Sequence, residues 1–299
     1  MAEDSAWCEE SCLPFGPTTV KSKKMLHDAA LADAVITDTE AAIALGIGEA
    51  PPGALVTPSA GCQVPCIPVH ALYAMLHDRT ATDNELERLR CAGIIRMIRM
   101  PASGDERLIL RAEDYLKAMK ESNCEAAANL TATSALSRCT GVRVLLDELA
   151  VALHSQPDSC RRCCEELVGA GWLTPAHAET FEVEPNEAPR VANDRAWLWS
   201  LPLAGRLIFA LSKCRAEVLS VLHKQHFHRA MRHIVERAPS VRKALASSRL
   251  DMRFVLRDIT GKGLVAQTAT AGGTVLELTP MGLQAANSAM ARRGRKRSR

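Results

Sequence analysis

The chain has 299 residues, 47% of them apolar, enough to bury the cores of two domains or three small ones and too many for a disordered tail. Its most apolar windows are interrupted by Asp33, Asp38 and Glu40, or by Arg206, so no stretch of about eighteen residues suits a bilayer and no membrane partner is expected. The net charge of +3 hides an asymmetry: residues 1–204 hold 18 Lys/Arg against 29 Asp/Glu, whereas residues 205–257 hold 12 against 3, so the rear of the chain is expected to meet a polyanion.

In chain order, residues 1–30 read as a disordered N-terminal tail and 47–66 as a linker, both rich in Pro, Gly, Ser and polar residues. The opening MAEDSAWCEE is acidic and lacks the basic-then-apolar order of a secretory signal. Residues 39–45 predict the first helix of a module at 31–122, with VHALYAMLH as its second. Thr82-Asp83-Asn84-Glu85 has capping-box spacing, and Leu86 and Leu89 follow on one face of a third helix. IIRMIRM, PASGDE and RLILR then read as strand, loop and strand, followed by the helix AEDYLKAMK. A second module, 140–212, starts at VRVLLDELAVALH; Asp158 is expected to cap a helix burying Cys163, Cys164, Leu167 and Val168. Its strands WLTP and AWLWSLP flank a long loop around PNEAPRVAND, and LAGRLIFALSK closes it. Trp197 and Trp199 share one strand face and read as packing residues. The third module, 213–290, opens with one long helix over CRAEVLSVLHKQHFHRAMRHIVE. A looser box at Ser248–Asp251 precedes Met252, Val255, Leu256 and Ile259 at helical spacing, and LVAQTAT, AGG, TVLELTP and MGLQAANSAM follow. Residues 291–299 form a basic tail, expected to be disordered.

A threefold repeat underlies this layout. LRCAGII at 89–95, LVGAGWL at 167–173 and ITGKGLV at 259–265 each place an aliphatic residue, three others, a glycine and two apolar residues. A helix that ends at a glycine able to adopt positive φ, with a strand starting at once, explains the pattern. Three helices followed by a two-stranded wing is the winged-helix layout, so the fold class is mostly α with small β-wings (α+β), as three tandem winged-helix domains.

A winged helix usually inserts its third helix into the major groove. That helix carries Asp83, Asn84, Glu87, Arg88 and Arg90 in the first module and Arg161, Arg162, Glu165 and Glu166 in the second, mixed sets in both. In the third, Arg249, Arg253 and Arg257 recur every four residues and predict a cationic stripe. Lys213, Arg215, Lys224, Arg229 and Arg232 on the preceding helix complete the predicted DNA-binding set, with Arg237, Arg242 and Lys243 beyond it. Asn and Gln are scarce, so backbone binding with little sequence preference and a steep salt dependence is expected. Arg292, Arg293, Arg295, Lys296, Arg297 and Arg299 read as a nuclear-import signal or a further DNA-binding arm, with Lys21, Lys23 and Lys24 a weaker cluster.

Catalytic chemistry finds no support. Gly46-Ile47-Gly48 lacks the third glycine and strand lysine of a kinase phosphate loop, and Arg257-Asp258 lacks the preceding His and the Asn five residues on, where Gly263 stands. No cofactor or metal is expected: Cys8/Cys12, Cys62/Cys66 and Cys160/Cys163/Cys164 lack the paired hooks of a zinc site and read as reduced thiols. The histidines at 223, 226, 228 and 233 lie among cations and read as supplements to the basic surface.

HALYAMLHDRTATDNELERLRCAGIIRMIR with LILRAEDYLKAMK, then LVGAGWLTP, WLWSLPLAGRLIFALSKCRAEVLSVLHK and GTVLELTP, together resemble the serine/threonine-protein kinase 19 family from about Val69 to Pro280, with FEVEPNEAPRVAND as an insertion. Despite the name, the resemblance implies a nuclear, chromatin- or DNA-associated winged-helix protein of transcription-coupled nucleotide excision repair, bridging repair and transcription proteins at stalled RNA polymerase II. Lys213, Arg215 and Lys224 match basic positions of the family; beyond them His223, His226 and His228 stand where the family tends to have Lys or Arg, and neutral histidines add no Coulomb attraction. The expectation is a non-enzymatic, double-stranded DNA-binding adaptor in the nucleus, with RNA as the competing polyanion. The alternatives are a protein-interaction scaffold without DNA binding and, as the family name asserts, a protein kinase.

Overall fold

The computed structural model describes residues 36–59, 62–100, 106–133, 136, 139–153, 157–176 and 196–297. The expected N-terminal tail, Cys8, Cys12, the Lys21–Lys24 cluster and the loop at 181–194 lie outside the described residues.

The first repeat comprises α1 (Asp38–Gly48), β3 (Ile67–Pro68), α2 (Val69–Tyr73), α3 (Arg79–Cys91), and the hairpin β4 (Ile95–Met100) and β5 (Glu106–Arg111). After α4 (Ala112–Lys120), the second comprises α5 (Glu125–Ala132), β6 (Arg143–Leu145), α6 (Leu146–Leu153), α7 (Pro157–Gly169), β7 (Leu173–Pro175) and β8 (Ala196–Trp199). The third comprises α8 (Ala204–His223), β9 (Arg229–Met231), α9 (Arg232–Arg237), α10 (Pro239–Ser248), α11 (Met252–Gly261), β10 (Val265–Thr270), β11 (Gly273–Leu278) and α12 (Pro280–Arg297). The three antiparallel sheets have strand orders β3-β5-β4, β6-β8-β7 and β10-β11-β9. In each, a strand of two or three residues pairs with the second wing strand and leads straight into the next helix, which makes the three repeats equivalent as winged helices.

The anchor glycines explain the shared ending. Gly93, Gly171 and Gly263 have φ of 74°, 81° and 70°. Each directs the following residue's N–H back to the aliphatic residue five positions earlier: Ile94 to Leu89, Trp172 to Leu167 and Leu264 to Ile259, at 2.8–3.0 Å. A Cβ at these positions is strained whatever the space around it.

Several elements depart from the sequence expectations. The capping box at Thr82 does not start α3; Asp78 does, accepting from the Ala81 N–H at 2.9 Å, and Thr82 is buried inside the helix. The expected linker at 47–66 instead contains a 3-10 turn (Pro52–Ala54) and the hairpin β1 (Leu55–Ser59) and β2 (Cys62–Pro65), which buries Val56, Cys62, Val64 and Cys66. The division at 212/213 falls inside α8, which runs without a break. The long helix expected over 214–236 stops at His223, where the chain turns through His226–His228 into β9 and only then enters α9. The tail expected to be disordered from 291 continues α12 through Arg297.

From Asp38 onward the chain is one compact unit rather than beads on a string. Between the first two repeats, buried Arg96 on β4 lies over the rings of Tyr115 and Trp199, 5.8 and 5.7 Å from their centroids, and donates to the carbonyls of Leu136 and Cys139. Tyr115 meets Trp172 edge-on and donates to the Ser200 carbonyl at 2.9 Å. Trp199 is buried and Trp197 half-buried, so the paired tryptophans serve packing. Between the first and third repeats, α11 lies against α2, and Gly261 sits so close to the His70 carbonyl that a Cβ would overlap it.

Candidate nucleic-acid interface

Helix α11 is where the predicted arginine stripe must be tested. Asp251 caps it, accepting from the Phe254 N–H at 2.6 Å. Met252, Val255, Leu256 and Ile259 are buried as expected, but so are Phe254, Asp258 and Gly261 on the other side, because the helix is covered by α2 as well as by its own repeat. No flank remains broad enough to enter a major groove.

The stripe itself is dismantled. Arg249 is not on α11; it ends α10 in the left-handed conformation, φ 54°, and its carbonyl accepts from the Gly53 N–H at 2.9 Å. Arg253 and Arg257 are one turn apart but converge on a carboxylate of the same chain: Arg253 Nη1 lies 3.0 Å from Glu49 Oε1, and Arg257 Nη2 lies 2.8 Å from Glu49 Oε2. The expectation of three free guanidinium groups in register is therefore corrected. The cations of α11 are met by the acidic first repeat.

Arg215 is corrected more strongly. It is buried on α8 and donates bidentately to both Asp258 on α11 and Glu106 on β5, with Nη1 2.6 Å from Glu106 Oε1 and Nη2 2.7 Å from Asp258 Oδ1. Lys262 also donates to Glu106. Burial alone raises the Glu106 carboxyl, but its bonds to Arg215 and Lys262 prevail and hold it below the usual carboxylate range. Burial likewise opposes the charge on Arg215, and Asp258 and Glu106 outweigh it, so the guanidinium is held more firmly protonated than usual. Beside this cluster, burial and then Lys262 push His70 below the ordinary histidine range. The arrangement locks the third repeat to the first. Glu49, Glu106 and Asp258 were not expected to take part, because 208 residues separate Glu49 from Arg257 and 109 separate Glu106 from Arg215.

Other predicted cations remain on the surface. Exposed Lys213 on α8 donates to Ser247 Oγ on α10 at 3.2 Å, and exposed Lys243 lies one turn before Ser247 on the same helix. Arg242 and Arg249 are exposed on and just beyond α10. Lys224, exposed, caps the end of α8, and Arg229 is exposed on the edge strand β9. Arg232 is half-buried and paired with Glu236 at 2.7 Å. The side chains of Arg292, Arg293, Arg295, Lys296 and Arg297, and all of Arg299, lie outside the described residues. On α3, Arg88 pairs with Glu85 and Glu40, and Arg90 with Glu87. The third repeat thus offers two groups of surface cations, one across α8 and α10 and one at the α8–β9 turn.

The kinase-like fragments serve structure. Gly46 and Gly48 lie within α1, not in a phosphate loop, and Asp258 is fully buried under Arg215. Cys62, Cys66, Cys160 and Cys164 are buried free thiols, each made harder to ionise chiefly by burial. No described helix is long and apolar enough to cross a membrane.

The profile of the family described as inactive serine-threonine protein kinase 19 matches residues 57–278. The chain belongs to this family. Proteins similar to it include those named Winged helix repair factor 1 from Mus musculus, 28% identical, and Homo sapiens, 26% identical; each match covers 69% of this chain and 74% of the relative. The Xenopus laevis protein of that name is 26% identical, covering 70% and 73%. The family's description as inactive agrees with the missing kinase motifs, and the relatives' name agrees with the three winged-helix repeats.

Proposed function

We propose that this chain is a non-enzymatic, double-stranded DNA-binding adaptor of the nucleus, acting in transcription-coupled nucleotide excision repair. The observation that carries the reading is the exposed Lys213, Lys243, Arg242 and Arg249 across α8 and α10, which stay on the surface after Arg215, Arg253 and Arg257 have been engaged by carboxylates of the same chain. Cations on two adjacent helices suit phosphates rather than base edges, so binding is weakly selective and falls steeply with salt. The repair role follows from the relatives' name. The acidic first and second repeats dock repair and transcription proteins at stalled RNA polymerase II.

Titration of the full chain with duplex DNA at two salt concentrations tests the reading. Charge reversal at Lys213, Arg242, Lys243 and Arg249 together removes low-salt binding, whereas undiminished binding by that variant overturns the assignment. A protein-interaction scaffold without DNA binding is the second reading, favoured by the burial of α11 between two repeats. Capture of polymerase or repair proteins that survives nuclease treatment and the fourfold reversal supports it over the first.

A further inference from the structure

Between α8 and β9 the chain makes a turn in which two successive residues without the freedom of glycine are left-handed: Phe227 has φ 57° and His228 φ 55°. Strained backbone of this kind persists only where surrounding contacts hold it. Here the His228 N–H donates to the Gln225 carbonyl at 3.0 Å, and His228 Nδ1 lies 3.0 Å from the His223 carbonyl, with the two imidazole rings 5.1 Å apart. The side chain displayed by this scaffold is apolar and aromatic, and 69% of Phe227 is open to solvent. No core is served by it. Its surroundings are nevertheless organised: the His226 ring stands at 83° to it with centroids 4.0 Å apart, and the Arg229 guanidinium lies over the ring, 5.3 Å from its centroid.

The surroundings are cationic. Lys224 and Arg229 flank the turn and are exposed, as is His226. Glu277 on β11 stands opposite Arg229 in the strand register, and the Arg229 guanidinium lies over the Phe227 ring. An aliphatic protein surface would have to desolvate these cations to reach the ring. A nucleobase brings a flat π-face for the ring and phosphates for Lys224 and Arg229.

We propose that Phe227 is a stacking platform for an unpaired nucleobase, with Lys224 and Arg229 holding the adjoining phosphates. The proposal rests on the reading of the third repeat as a nucleic-acid surface and deepens it: that surface takes partly unpaired strands at the α8–β9 turn in addition to duplex across α8 and α10.

The test uses the full chain with three probes of equal length: a blunt DNA duplex, a duplex with a single-stranded DNA overhang, and one with an RNA overhang, each overhang carrying 2-aminopurine. The overhang probes are expected to bind about ten-fold more tightly than the blunt duplex, with quenching of the 2-aminopurine. Phe227→Ala removes the ten-fold preference and the quenching without changing affinity for the blunt duplex. Phe227→Trp retains both, and Phe227→Leu, apolar but without a π-face, loses both. The two overhang chemistries distinguish a deoxyribose from a ribose strand as the source of the base; quenching by either supports the platform. Normal duplex binding with no overhang preference, or a preference that Phe227→Ala leaves intact, overturns the proposal and spares the duplex reading. Phe227-dependent overhang binding without duplex binding supports the platform and overturns the duplex reading. Failure to bind any probe overturns both.

Discussion

Helices α3 and α11 occupy the same position in their repeats and are built alike. Each starts on an Asp cap, Asp78 or Asp251, and each ends two residues before a left-handed glycine, Gly93 or Gly263. Their surroundings are opposite. Helix α3 buries only Thr82, Leu86 and Leu89 and leaves Asp83, Asn84, Glu87 and Arg88 in solvent, whereas α11 buries seven of its ten residues between its own repeat and α2. A run of arginines shows that a helix needs counter-charge, but does not say whether a ligand or the same chain provides it. In α11 it is the chain: Glu49 takes Arg253 and Arg257, while Glu106 takes Lys262 and, with Asp258, Arg215.

The contrast can be broken at the ion cluster. Arg215→Ala leaves Asp258 and Glu106 buried with one partner fewer, and a loss of about 3–5 kcal/mol is expected in urea denaturation. Gly261→Ala attacks the same contact sterically. Its Cβ meets the His70 backbone carbonyl, which cannot rotate away, so a loss of about 3 kcal/mol and separation of α11 from α2 are expected, the latter read as faster amide exchange in both helices. The corresponding change on the exposed face of α3, Asn84→Ala, stays within about 0.5 kcal/mol, and a comparable loss there would remove the distinction between the two helices.

Acid sharpens the contrast in two stages. His70 is held below its ordinary range, so folding disfavours its protonation and stability falls as the pH drops through the ordinary histidine range towards the lower folded value. Glu106 is held below the ordinary carboxylate range; its contribution is complete above that range and is lost as the pH falls through its folded value. Melting temperatures from pH 7 downward should therefore decline in two phases, and His70→Asn should remove the upper one. Glu49→Gln is expected to cost far less than the changes at the buried cluster, about 1 kcal/mol or less, because its pairs are partly solvated. That variant frees Arg253 and Arg257, so its affinity for duplex DNA should rise; unchanged affinity would mean that these arginines lie too far from the bound strand to matter.

Much of the fold was legible because its signals are local. The three anchor glycines, the wing strands of the first and third repeats and the Asp251 end of the loose box at Ser248 all depend on residues within a few positions of one another. The short strands β3, β6 and β9 are not legible in the sequence, since two or three residues carry no periodicity and owe their pairing to the second wing strand. Helix α8 runs unbroken across the expected division at 212/213, and Arg215 just beyond it is buried, its charge met from β5 and α11. The site was less legible than the fold. Lys213, Lys224 and Arg229 are exposed as expected, whereas Arg215, Arg253 and Arg257 are taken by carboxylates 43 to 208 positions away. The one local hint was Phe254 and Gly261, apolar or small positions off the expected face of α11, which mark a second contact surface.

The unbroken helix that follows β8 and opens the third repeat has a geometric corollary. A rod of 20 residues extends about 30 Å and turns about 100° per residue, so the angular setting of one repeat about the other depends on the number of amino acids along it. Adding a single alanine midway would swing the basic end through more than a right angle relative to the end that follows β8, whereas adding four would return it close to its original heading, advanced by about 6 Å.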